Sequence, residues 1–505
     1  MQTVESEYFD VVIVGAGLSG IGAACYLQRE CPTKSFALFE GRKALGGTWD
    51  LFRYPGIRSD SDMYTLGYSF KPWRESKAIA DGPAILNYIH ETAAEHDIDK
   101  HIRYERRIVK ASWSSEDACW TLDALNTDSG KRETVRCNIL WMCAGYYRYE
   151  KGHSPVFEGQ ELFQGEIVHP QHWRDDLPYR DKKIVVIGSG ATAVTLIPEL
   201  AKQAGHVTMV QRSPTWIVAW PDQDFVANLL RKVLPAKLAY RITRWKNITQ
   251  QQFVYRRTRK KPEQVRRQLL KWARKRLGKG YDVDTHFNPS YNPWDQRLCL
   301  APNGDFFLAI RSGRASVETD TIETFTETGI RLNSGKELEA DIIVTATGID
   351  LLVLGEVDFI VDGAPVDFSK TFAYKGIMSS GVPNMVSTFG YINASWTLRA
   401  DLTAEYLCRL VNFLDTHEYT RFTPQLRQED EGMPERPWIT GFSPGYMTRV
   451  LDRLPRQGDR EPWLNPQNYS KDKKMFVEGE IDDGVLVFGA TPLAGNSVHE
   501  KRKAG

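Results

Sequence analysis

The chain has 505 residues, too many for one compact core, and at about 150 residues per domain we expect about two to four domains. Hydrophobic residues make up 42% and charged residues 26%, which excludes a disordered chain. No run approaches the roughly 20 apolar residues of a membrane span, and the acidic start does not resemble a targeting peptide, so a cytoplasmic location is predicted.

The seven cysteines are scattered along the chain, and none belongs to a CxxC pair. An odd number without paired spacing disfavours both a disulfide framework and a zinc site. We therefore predict no metal site, and a compartment in which the thiols stay reduced.

The first motif lies in FDVVIVGAGLSGIGAACYLQ, near the start of the chain. An apolar run is followed by Gly15, Gly17 and Gly20 and then by helix-forming residues, which predicts a strand, a tight turn and a helix. Such a turn lets the backbone approach a pyrophosphate at the helix N-terminus. The next apolar run ends in Glu40, where a carboxylate can bind two ribose hydroxyls and repels an additional phosphate. This site is therefore predicted to bind FAD.

The same pattern recurs in KKIVVIGSGATAVTLIPEL, where a glycine-rich turn follows a second apolar strand. The strand after it ends in Arg212 and Ser213 instead of an acid. An arginine at the ribose position offers a fork of donors to a 2′-phosphate, so this site is predicted to bind NADPH. Its predicted contacts are Gly188, Ser189, Gly190, Ala191, Thr192, Ala193, Arg212 and Ser213.

Two further strands, at residues 139–143 and 342–345, end in small residues and glycine. Such turns suit crossings between two domains that share one chain. The predicted fold class is therefore α/β, with two Rossmann-like dinucleotide-binding domains and a helical insert. The predicted boundaries are 1–150 and 340–505 for the FAD domain, 151–222 and 292–339 for the NADPH domain, and 223–291 for the insert.

The insert is strongly basic, because residues 227–280 contain 18 lysines and arginines but one acid, Glu263. Its apolar residues recur at helical spacing, which predicts helices with one buried stripe. The basic side is interpreted as a solvated face, with peripheral contact to a membrane surface as the next alternative. A nucleic-acid partner is not predicted, since no nucleic-acid motif accompanies the charge. The predicted stripe consists of Val265, Leu269, Trp272, Ala273 and Leu277.

Two longer signatures accompany the glycine-rich turns. FQGEIVHPQHW fits the FxGxxxHxxxW fingerprint of the Baeyer–Villiger monooxygenases, and GGTWDLFRYPGIRSD fits that family's second signature. Nearly the whole chain resembles the type I Baeyer–Villiger monooxygenases, the class B flavoprotein monooxygenases, most closely the ethionamide monooxygenases. The matching positions are Phe163, Gly165, His169 and Trp173 in the fingerprint, and Gly47, Trp49, Tyr54, Pro55, Gly56 and Asp60 in the second signature.

The resemblance implies roles for particular residues. Arg297 and Asp60 are implied as catalytic, with Asp60 orienting Arg297 beside the flavin, whereas His169 is implied as a structural residue on a linker. The position before Arg297, often lysine in the family, is Gln296, which leaves Arg212 as the main partner of a 2′-phosphate. Implied FAD contacts are Gly15, Gly17, Ser19, Gly20, Glu40, Thr48, Trp49, Asp60 and Ile108, and implied NADP contacts outside the second turn are Arg58, Ser59 and Asp60.

The activity implied by the resemblance is insertion of one oxygen atom of O₂ into ketones, giving esters or lactones while NADPH is consumed. The implied intermediate is a C4a-peroxyflavin anion, which a permanently cationic Arg297 keeps unprotonated. Oxygenation of sulfur compounds such as sulfides and thioamides is expected as a second activity. Two alternatives stay open: a flavin-containing monooxygenase confined to sulfur and nitrogen, and a non-catalytic, flavin-loaded protein that binds or senses a membrane surface.

Overall fold

A computed structural model of the chain describes residues 6–490. The two ends of the predicted FAD domain, residues 1–5 and 491–505, lie outside the described residues. The helices are α1 (Leu18–Glu30), α2 (Thr48–Leu51), α3 (Met63–Leu66), α4 (Gly82–Glu95), α5 (Ala191–Leu200), α6 (Phe225–Val233), α7 (Ala236–Lys260), α8 (Pro262–Leu277), α9 (Val283–Phe287), α10 (Asp305–Arg311), α11 (Trp396–Thr416), α12 (Gly445–Thr448) and α13 (Tyr469–Lys473). The strands are β1 (Glu7–Val14), β2 (Phe36–Phe39), β3 (Ile102–Arg103), β4 (Arg106–Ser114), β5 (Cys119–Asn126), β6 (Arg132–Met142), β7 (Glu166–Val168), β8 (Lys183–Ile187), β9 (His206–Gln211), β10 (Ile217–Trp220), β11 (Cys299–Pro302), β12 (Ala315–Thr319), β13 (Ile322–Thr326), β14 (Gly329–Leu332), β15 (Glu337–Glu339), β16 (Ile342–Thr345), β17 (Asp358–Val361), β18 (Ala364–Pro365), β19 (Ala373–Tyr374), β20 (Met378–Ser379), β21 (Met385–Ser387), β22 (Arg421–Pro424), β23 (Arg436–Pro437), β24 (Arg456–Gln457) and β25 (Leu486–Gly489).

The larger sheet follows the order β18-β17-β4-β5-β6-β1-β2-β3, with β21 also paired to β6. Its centre, β3-β2-β1-β6-β21, is parallel throughout. The side chains of β1 alternate between two cores, because Val11 and Ile13 pack with residues of α1 and α11, whereas Val12 and Val14 pack on the opposite face. A strand buried on both faces is apolar at every position, which is why this stretch is recognisable in the sequence.

The second sheet is fully parallel, with the order β12-β9-β8-β16-β7. It confirms the predicted α/β class with two dinucleotide-binding sheets. The division of the chain into domains stays a prediction. One observation bears on its boundary at residue 340: the apolar strand β16 falls in the predicted FAD domain but pairs with β8 and β7 in the second sheet.

Two linkers run side by side between the sheets, residues 143–165 after β6 and residues 346–357 after β16. The backbone N–H of Arg148 donates to the carbonyl oxygen of Asp350 at 2.9 Å. The guanidinium of Arg148 also pairs with the carboxylates of Asp350 and Glu356. The two linkers between the sheets are therefore held to each other by backbone hydrogen bonds and by ion pairs.

Between β10 and β11 the chain forms the four helices α6, α7, α8 and α9. On α8, Leu269, Ala273 and Leu277 are buried as predicted. The prediction was wrong for Trp272, which is exposed, while Leu270 is buried instead. The reason is that Leu270 lies three residues before Ala273, so the buried stripe extends to that side of the helix. Within residues 6–490, no helix combines the length and the apolar character needed to cross a bilayer.

Candidate active site

Both glycine-rich turns line one cavity of about 1110 Å³. Its lining includes Gly15 and Gly17 of the first turn and Gly188 and Gly190 of the second. It lies at the C-terminal ends of parallel strands in both sheets, where open α/β sheets bind nucleotides. The volume exceeds the roughly 300–1,000 Å³ of most small-molecule pockets, so the cavity has room for more than one ligand.

The first turn has a backbone that requires glycine. Gly15 has φ +105°, and a Cβ there would lie 2.6 Å from the carbonyl oxygen of Cys143. A Cβ on Gly20 would lie 1.9 Å from the carbonyl oxygen of Gly15. The loop of the second signature closes over this turn, because the N–H of Gly46 donates to the carbonyl oxygen of Ala16 at 2.9 Å. The turn is therefore preformed and enclosed by protein.

Glu40 lines the cavity at the end of β2 and is buried. Its Oε2 accepts from the N–H of Ala16 and its Oε1 from the N–H of Arg42, each at 2.9 Å. Burial raises the pKa of Glu40, and the two backbone donors only partly oppose that shift. A buried carboxylate facing a cavity is suited to accept hydrogen bonds from ribose hydroxyls, as predicted from its position.

The second turn is built alike but is more open. Gly188 has φ +126°, and a Cβ there would lie 2.2 Å from the carbonyl oxygen of Ala346. Apart from its chain neighbours and the backbone of its own helix, no described atom lies within 4 Å of a Cβ placed on Gly190, so a ligand can approach the backbone at that point. Ala193 is fully buried beneath the turn, where a larger side chain would have no room. This turn can therefore bind a pyrophosphate that enters from the cavity.

Arg212 and Ser213 follow β9 directly and line the cavity. Ser189 connects the turn to them, because its Oγ donates to the carbonyl oxygen of Ser213 at 3.2 Å. Arg212 is exposed, and no carboxylate among residues 6–490 lies within 4.0 Å of its guanidinium. Gln296 also lines the cavity. An exposed arginine without a carboxylate partner is available to bind a phosphate group.

The second signature spans the two halves of the molecule. It begins beside the first turn and ends on the second half, where Tyr54 is buried in the core that contains α5 and α8. A Cβ on Gly56 would lie 2.3 Å from the Cγ of Glu199 on α5, so only glycine fits there. Arg58 pairs with Asp305 at the start of α10 at 2.5 Å. The signature therefore marks the contact between the two nucleotide-binding halves.

Arg297 and Asp60 form a bidentate pair in the cavity wall. Nε of Arg297 donates to Oδ2 of Asp60 at 2.6 Å, and Nη2 donates to Oδ1 at 2.8 Å. Each side chain is 32% exposed, and both line the cavity. Burial alone would lower the pKa of Arg297, but the carboxylate of Asp60 raises it above its ordinary value. The guanidinium therefore remains cationic at any working pH.

Four aromatic side chains that were not predicted as site residues line the cavity near Arg297. Tyr146 stacks on Trp396 with ring centres 5.2 Å apart, and its ring lies 4.5 Å from that of Tyr147. Tyr446 comes from α12. The two consecutive tyrosines follow the end of β6 after three residues, so their position in the turn beyond a buried strand was a usable signal. Trp396 and Tyr446 belong to no motif, and nothing local in the sequence points to them.

The fingerprint begins at the end of the first linker and continues through β7, and none of its four described residues lines the cavity. A Cβ on Gly165 would lie 2.4 Å from a backbone oxygen. Nδ1 of His169 accepts from the N–H of Gln171 at 3.2 Å, and burial lowers the pKa of His169. Phe163 and Trp173 pack in adjoining apolar cores. The structural role implied for the fingerprint stays a prediction.

The remaining predicted contacts differ in how free their side chains are. The hydroxyl of Ser59 is buried and donates to the carbonyl oxygen of Ser61 at 2.7 Å, so a nucleotide would have to share it. Oγ of Ser19 accepts from Nε1 of Trp396 at 2.7 Å, which leaves the hydroxyl proton of Ser19 available. Thr48, Trp49, Ile108, Ala191 and Thr192 also line the cavity.

Several known proteins are similar to this chain in sequence or in fold. The family model described as flavin-binding monooxygenase-like matches residues 9–381. The FAD-containing monooxygenase EthA of Mycobacterium tuberculosis is 53% identical over 488 residues, which cover 96% of this chain and 99% of that protein.

Two solved structures have the same fold at low sequence identity. Oxidized steroid monooxygenase bound to NADP has a TM-score of 0.77 at 21% identity, covering 95% of this chain and 99% of that one. Cyclohexanone monooxygenase bound to ε-caprolactone has a TM-score of 0.74 at 16% identity, covering 96% and 100%. The predicted resemblance to flavoprotein monooxygenases is confirmed, because the family model matches well over half of the chain and EthA matches nearly all of it. The chain belongs to the flavin-binding monooxygenase-like family.

Proposed function

We propose that this flavin-dependent monooxygenase uses FAD and NADPH to insert one oxygen atom of O₂ into ketones, giving esters or lactones. The observation that carries the proposal is the pair of Arg297 and Asp60, placed where both nucleotide turns open into one cavity. A fixed cation at that place stabilises negative charge that develops during the reaction. Cyclohexanone monooxygenase bound to the lactone ε-caprolactone shares the fold, which supports a ketone substrate here.

The first turn fits a flavin dinucleotide by the chemistry of its donors. Gly17 lines the cavity without a side chain, which leaves a cradle beside the N–H groups that begin α1. Glu40 would accept from the ribose hydroxyls, and Thr48 and Trp49 would line the path toward the ring. EthA, a relative of nearly equal length, is named as FAD-containing, which supports the same cofactor here.

The second turn fits NADPH in the same way. Gly190 leaves open space over the turn for a pyrophosphate, and Arg212 has a guanidinium without a carboxylate partner among residues 6–490. A phosphate on the adenosine ribose would satisfy that cation with charge-assisted hydrogen bonds. The structural relative bound to NADP supports this assignment at the level of the fold.

Arg297 and Asp60 would determine the electrostatic environment of the part of the cavity in which the reaction takes place. The raised pKa of Arg297 keeps its protons on the guanidinium, so it can stabilise an anion without giving that anion a proton. Asp60 fixes the plane of the guanidinium through two hydrogen bonds, which leaves the outer edge of Arg297 free to face the cavity. Asp60 is therefore a positioning residue, and Arg297 is the residue that would touch the reacting atoms.

The aromatic wall would hold the substrate and limit the entry of water. Tyr146, Tyr147, Trp396 and Tyr446 present large, mostly apolar surfaces to the cavity. Burial raises the pKa of Tyr146, Tyr147 and Tyr446, so their hydroxyls stay protonated and add no anionic charge beside Arg297. A ketone bound against this wall would keep its carbonyl group in a poorly hydrated space, where a nearby cation acts more strongly.

When bound, the reduced flavin supplies the electrons that activate O₂, after receiving a hydride from the nicotinamide. We include oxygenation of sulfur compounds as a second activity of the same cavity, because the resemblance to the ethionamide monooxygenases implies it. The charge state of the reacting oxygen separates the two activities. By keeping its own protons, Arg297 would favour a nucleophilic oxygen, which suits a carbonyl carbon, whereas the lone pairs of sulfur and nitrogen require an electrophilic oxygen.

The proposal is tested with FAD-loaded protein, NADPH and ¹⁸O₂, using a cyclic ketone, a linear ketone and a dialkyl sulfide as separate substrates. We expect ¹⁸O-labelled lactone and ester by mass spectrometry, a labelled sulfoxide from the sulfide, and slower turnover with NADH than with NADPH. Sulfoxide without any ester or lactone would overturn the ketone activity in favour of the narrower monooxygenase. Consumption of NADPH without any oxygenated product would overturn both activities.

A further inference from the structure

Helices α6 and α7 carry large apolar side chains on their solvent-exposed surface. Phe225 is 73% exposed, Trp245 is 69% exposed and Phe253 is 63% exposed. Single exposed apolar residues are ordinary, but a continuous set on neighbouring helices marks an interaction surface. We call this set the hairpin face, and it consists of Phe225, Val226, Leu229 and Val233 on α6 and Leu238, Ile242, Trp245 and Phe253 on α7.

The spacing of these residues places them on one side of each helix. On α7, Leu238, Ile242 and Trp245 are separated by four and three residues, which is the spacing of one helical face. The opposite side of α7 is buried against the rest of the protein through Tyr240 and Arg244. The packing of α7 against its own protein is thus satisfied without the hairpin face.

The two helices form an antiparallel hairpin. Nζ of Lys246, in the middle of α7, pairs with the carboxylate of Asp224 at the start of α6 at 2.6 Å. The short connection between Val233 and Ala236 closes the other end of the hairpin. The apolar side chains of the two helices therefore lie beside one another rather than at distant points of the surface.

The hairpin face is surrounded by positive charge. Lys232, Lys237, Arg241, Arg256 and Lys260 are exposed, and no carboxylate within residues 6–490 lies within 4.0 Å of any of them. They belong to the segment in which 18 lysines and arginines accompany a single acid. A surface with aromatic and aliphatic side chains inside a basic border is typical of helices that lie on an anionic lipid surface.

A second copy of this chain fits the hairpin face poorly. In a two-fold symmetric dimer the same surface of both copies would meet, so the cationic borders would be brought together. Lysine is also depleted in the contact regions of proteins. A bilayer that contains anionic lipid satisfies both features at once, since it offers an apolar interior beneath a negative surface.

We propose that the hairpin face docks this protein on the surface of a bilayer rich in anionic lipid, with its large apolar side chains in the headgroup region and no segment crossing the bilayer. Of its eight described side chains none lines the cavity, so docking and oxygenation use separate surfaces. Docking would bring the cavity to where apolar ketones and sulfides dissolve. The inference does not depend on the proposed reaction.

The test uses FAD-loaded, full-length protein in a vesicle flotation assay. Vesicles of phosphatidylcholine alone are compared with vesicles that also contain phosphatidylglycerol. We expect binding to the phosphatidylglycerol vesicles, weaker binding to pure phosphatidylcholine, and release at high salt because the charge component is screened. Lys237→Gln and Arg241→Gln should each weaken binding to the anionic vesicles about fivefold.

The apolar component is tested with a matched pair of variants. Leu229, on the hairpin face, is 62% exposed, and Leu308, on α10, is 53% exposed. Leu229→Ser should lower vesicle affinity about tenfold, because an inserted leucine side chain would lose its apolar environment. Leu308→Ser should leave the affinity unchanged. Both variants should keep the flavin absorbance and the rate of NADPH oxidation of the parent protein, which shows that they fold.

Three results would overturn the proposal. The first is absence of binding to phosphatidylglycerol vesicles at low salt. The second is an equal loss of affinity for Leu229→Ser and Leu308→Ser, since the apolar contact would then not be specific to the hairpin face. The third is a lipid-free oligomer, seen by light scattering, that Leu229→Ser dissociates, because the surface would then be a contact between copies.

Discussion

The two glycine-rich turns have nearly the same backbone but end in opposite charges. The first is closed by the loop around Gly46 and by the buried carboxylate of Glu40. The second is open above Gly190 and ends in the exposed guanidinium of Arg212. The comparison teaches that one folding unit serves two purposes: an enclosed turn suits a nucleotide that stays bound, and an open turn suits one that enters and leaves in each cycle.

The largest effect is expected for substitution of Arg297, which lies where both nucleotide-binding turns open into the cavity. Arg297→Ala should lower ester formation about 100-fold or more, because removal of one fixed donor to developing negative charge typically costs that much. Both nucleotides should still bind, since neither turn is altered. The measurement is ester produced per NADPH consumed, together with hydrogen peroxide released. Arg297→Lys, which keeps the charge but loses the bidentate pairing, should recover only part of the ester, and an ester yield from Arg297→Ala equal to that of the parent would remove Arg297 from the mechanism.

Alanine substitutions should have different effects in the two turns, because the first turn has no room for a Cβ at Gly15 whereas the second has room at Gly190. Gly15→Ala should destabilise the protein by about 2 kcal/mol or more and reduce its flavin content, because of the positive φ and the close Cys143 carbonyl. Gly190→Ala should keep the flavin and the thermal midpoint but raise the KM for NADPH, since its Cβ projects only into the cavity. Flavin absorbance, thermal unfolding and NADPH kinetics distinguish these outcomes. Equal flavin loss in both variants would contradict the assignment of the turns.

The charge at the end of the second turn is tested by Arg212→Gln. The KM for NADPH should rise about tenfold, because a charge-assisted contact to the 2′-phosphate is lost. The KM for NADH should stay nearly constant, since NADH lacks that phosphate. Arg267→Gln on α8 is the matched control, because Arg267 is also exposed and without a carboxylate within 4.0 Å among the described residues. A parallel rise for both coenzymes would show that Arg212 supports the site in general rather than the phosphate.

The smallest effect concerns His169, the fingerprint residue that follows β7. The pKa of His169 is lowered by burial and by the nearby His172. As pH falls below about 6.5, the unfolded chain takes up this proton before the folded one does, so the folded state loses stability in that range and not above it. His169→Gln should therefore show a smaller loss of thermal midpoint between about pH 7.5 and about pH 5.5 than the parent protein. An identical loss in both proteins would assign the acid sensitivity to other histidines, such as His153, whose pKa burial also lowers.

The parts of the fold that were predictable are those with local signals. The strand at residues 342–345 was predicted with the bounds that the structure has, because an apolar run between polar flanks defines a fully buried strand. Both glycine turns were predictable for a different local reason, because each begins with a glycine at positive φ, Gly15 and Gly188, where other residues would be strained.

The parts that were not predictable depend on contacts between distant segments. Trp396 and Tyr446 reach the cavity from the C-terminal part of the chain, and no spacing relates them to Arg297. The pairing of Arg58 with Asp305 joins residues 247 positions apart. Local composition cannot reveal such neighbours, because they are brought together by the packing of whole sheets. The exposure of Trp272 was also not predicted. Helical spacing predicts which side of a helix is buried, but not how far around the helix the buried side extends.

Glu40 has a consequence for how much of this protein a cell can maintain. Two backbone N–H groups within the described residues donate to its buried carboxylate, and ribose hydroxyls of a bound flavin nucleotide would add further donors. Without that nucleotide the folded state holds a poorly compensated charge and also lacks the stability that binding adds by mass action. Newly synthesised chains would then be unfolded for a larger fraction of the time and would be degraded faster. Riboflavin supply would thereby control the steady-state abundance of the enzyme, in addition to its activity.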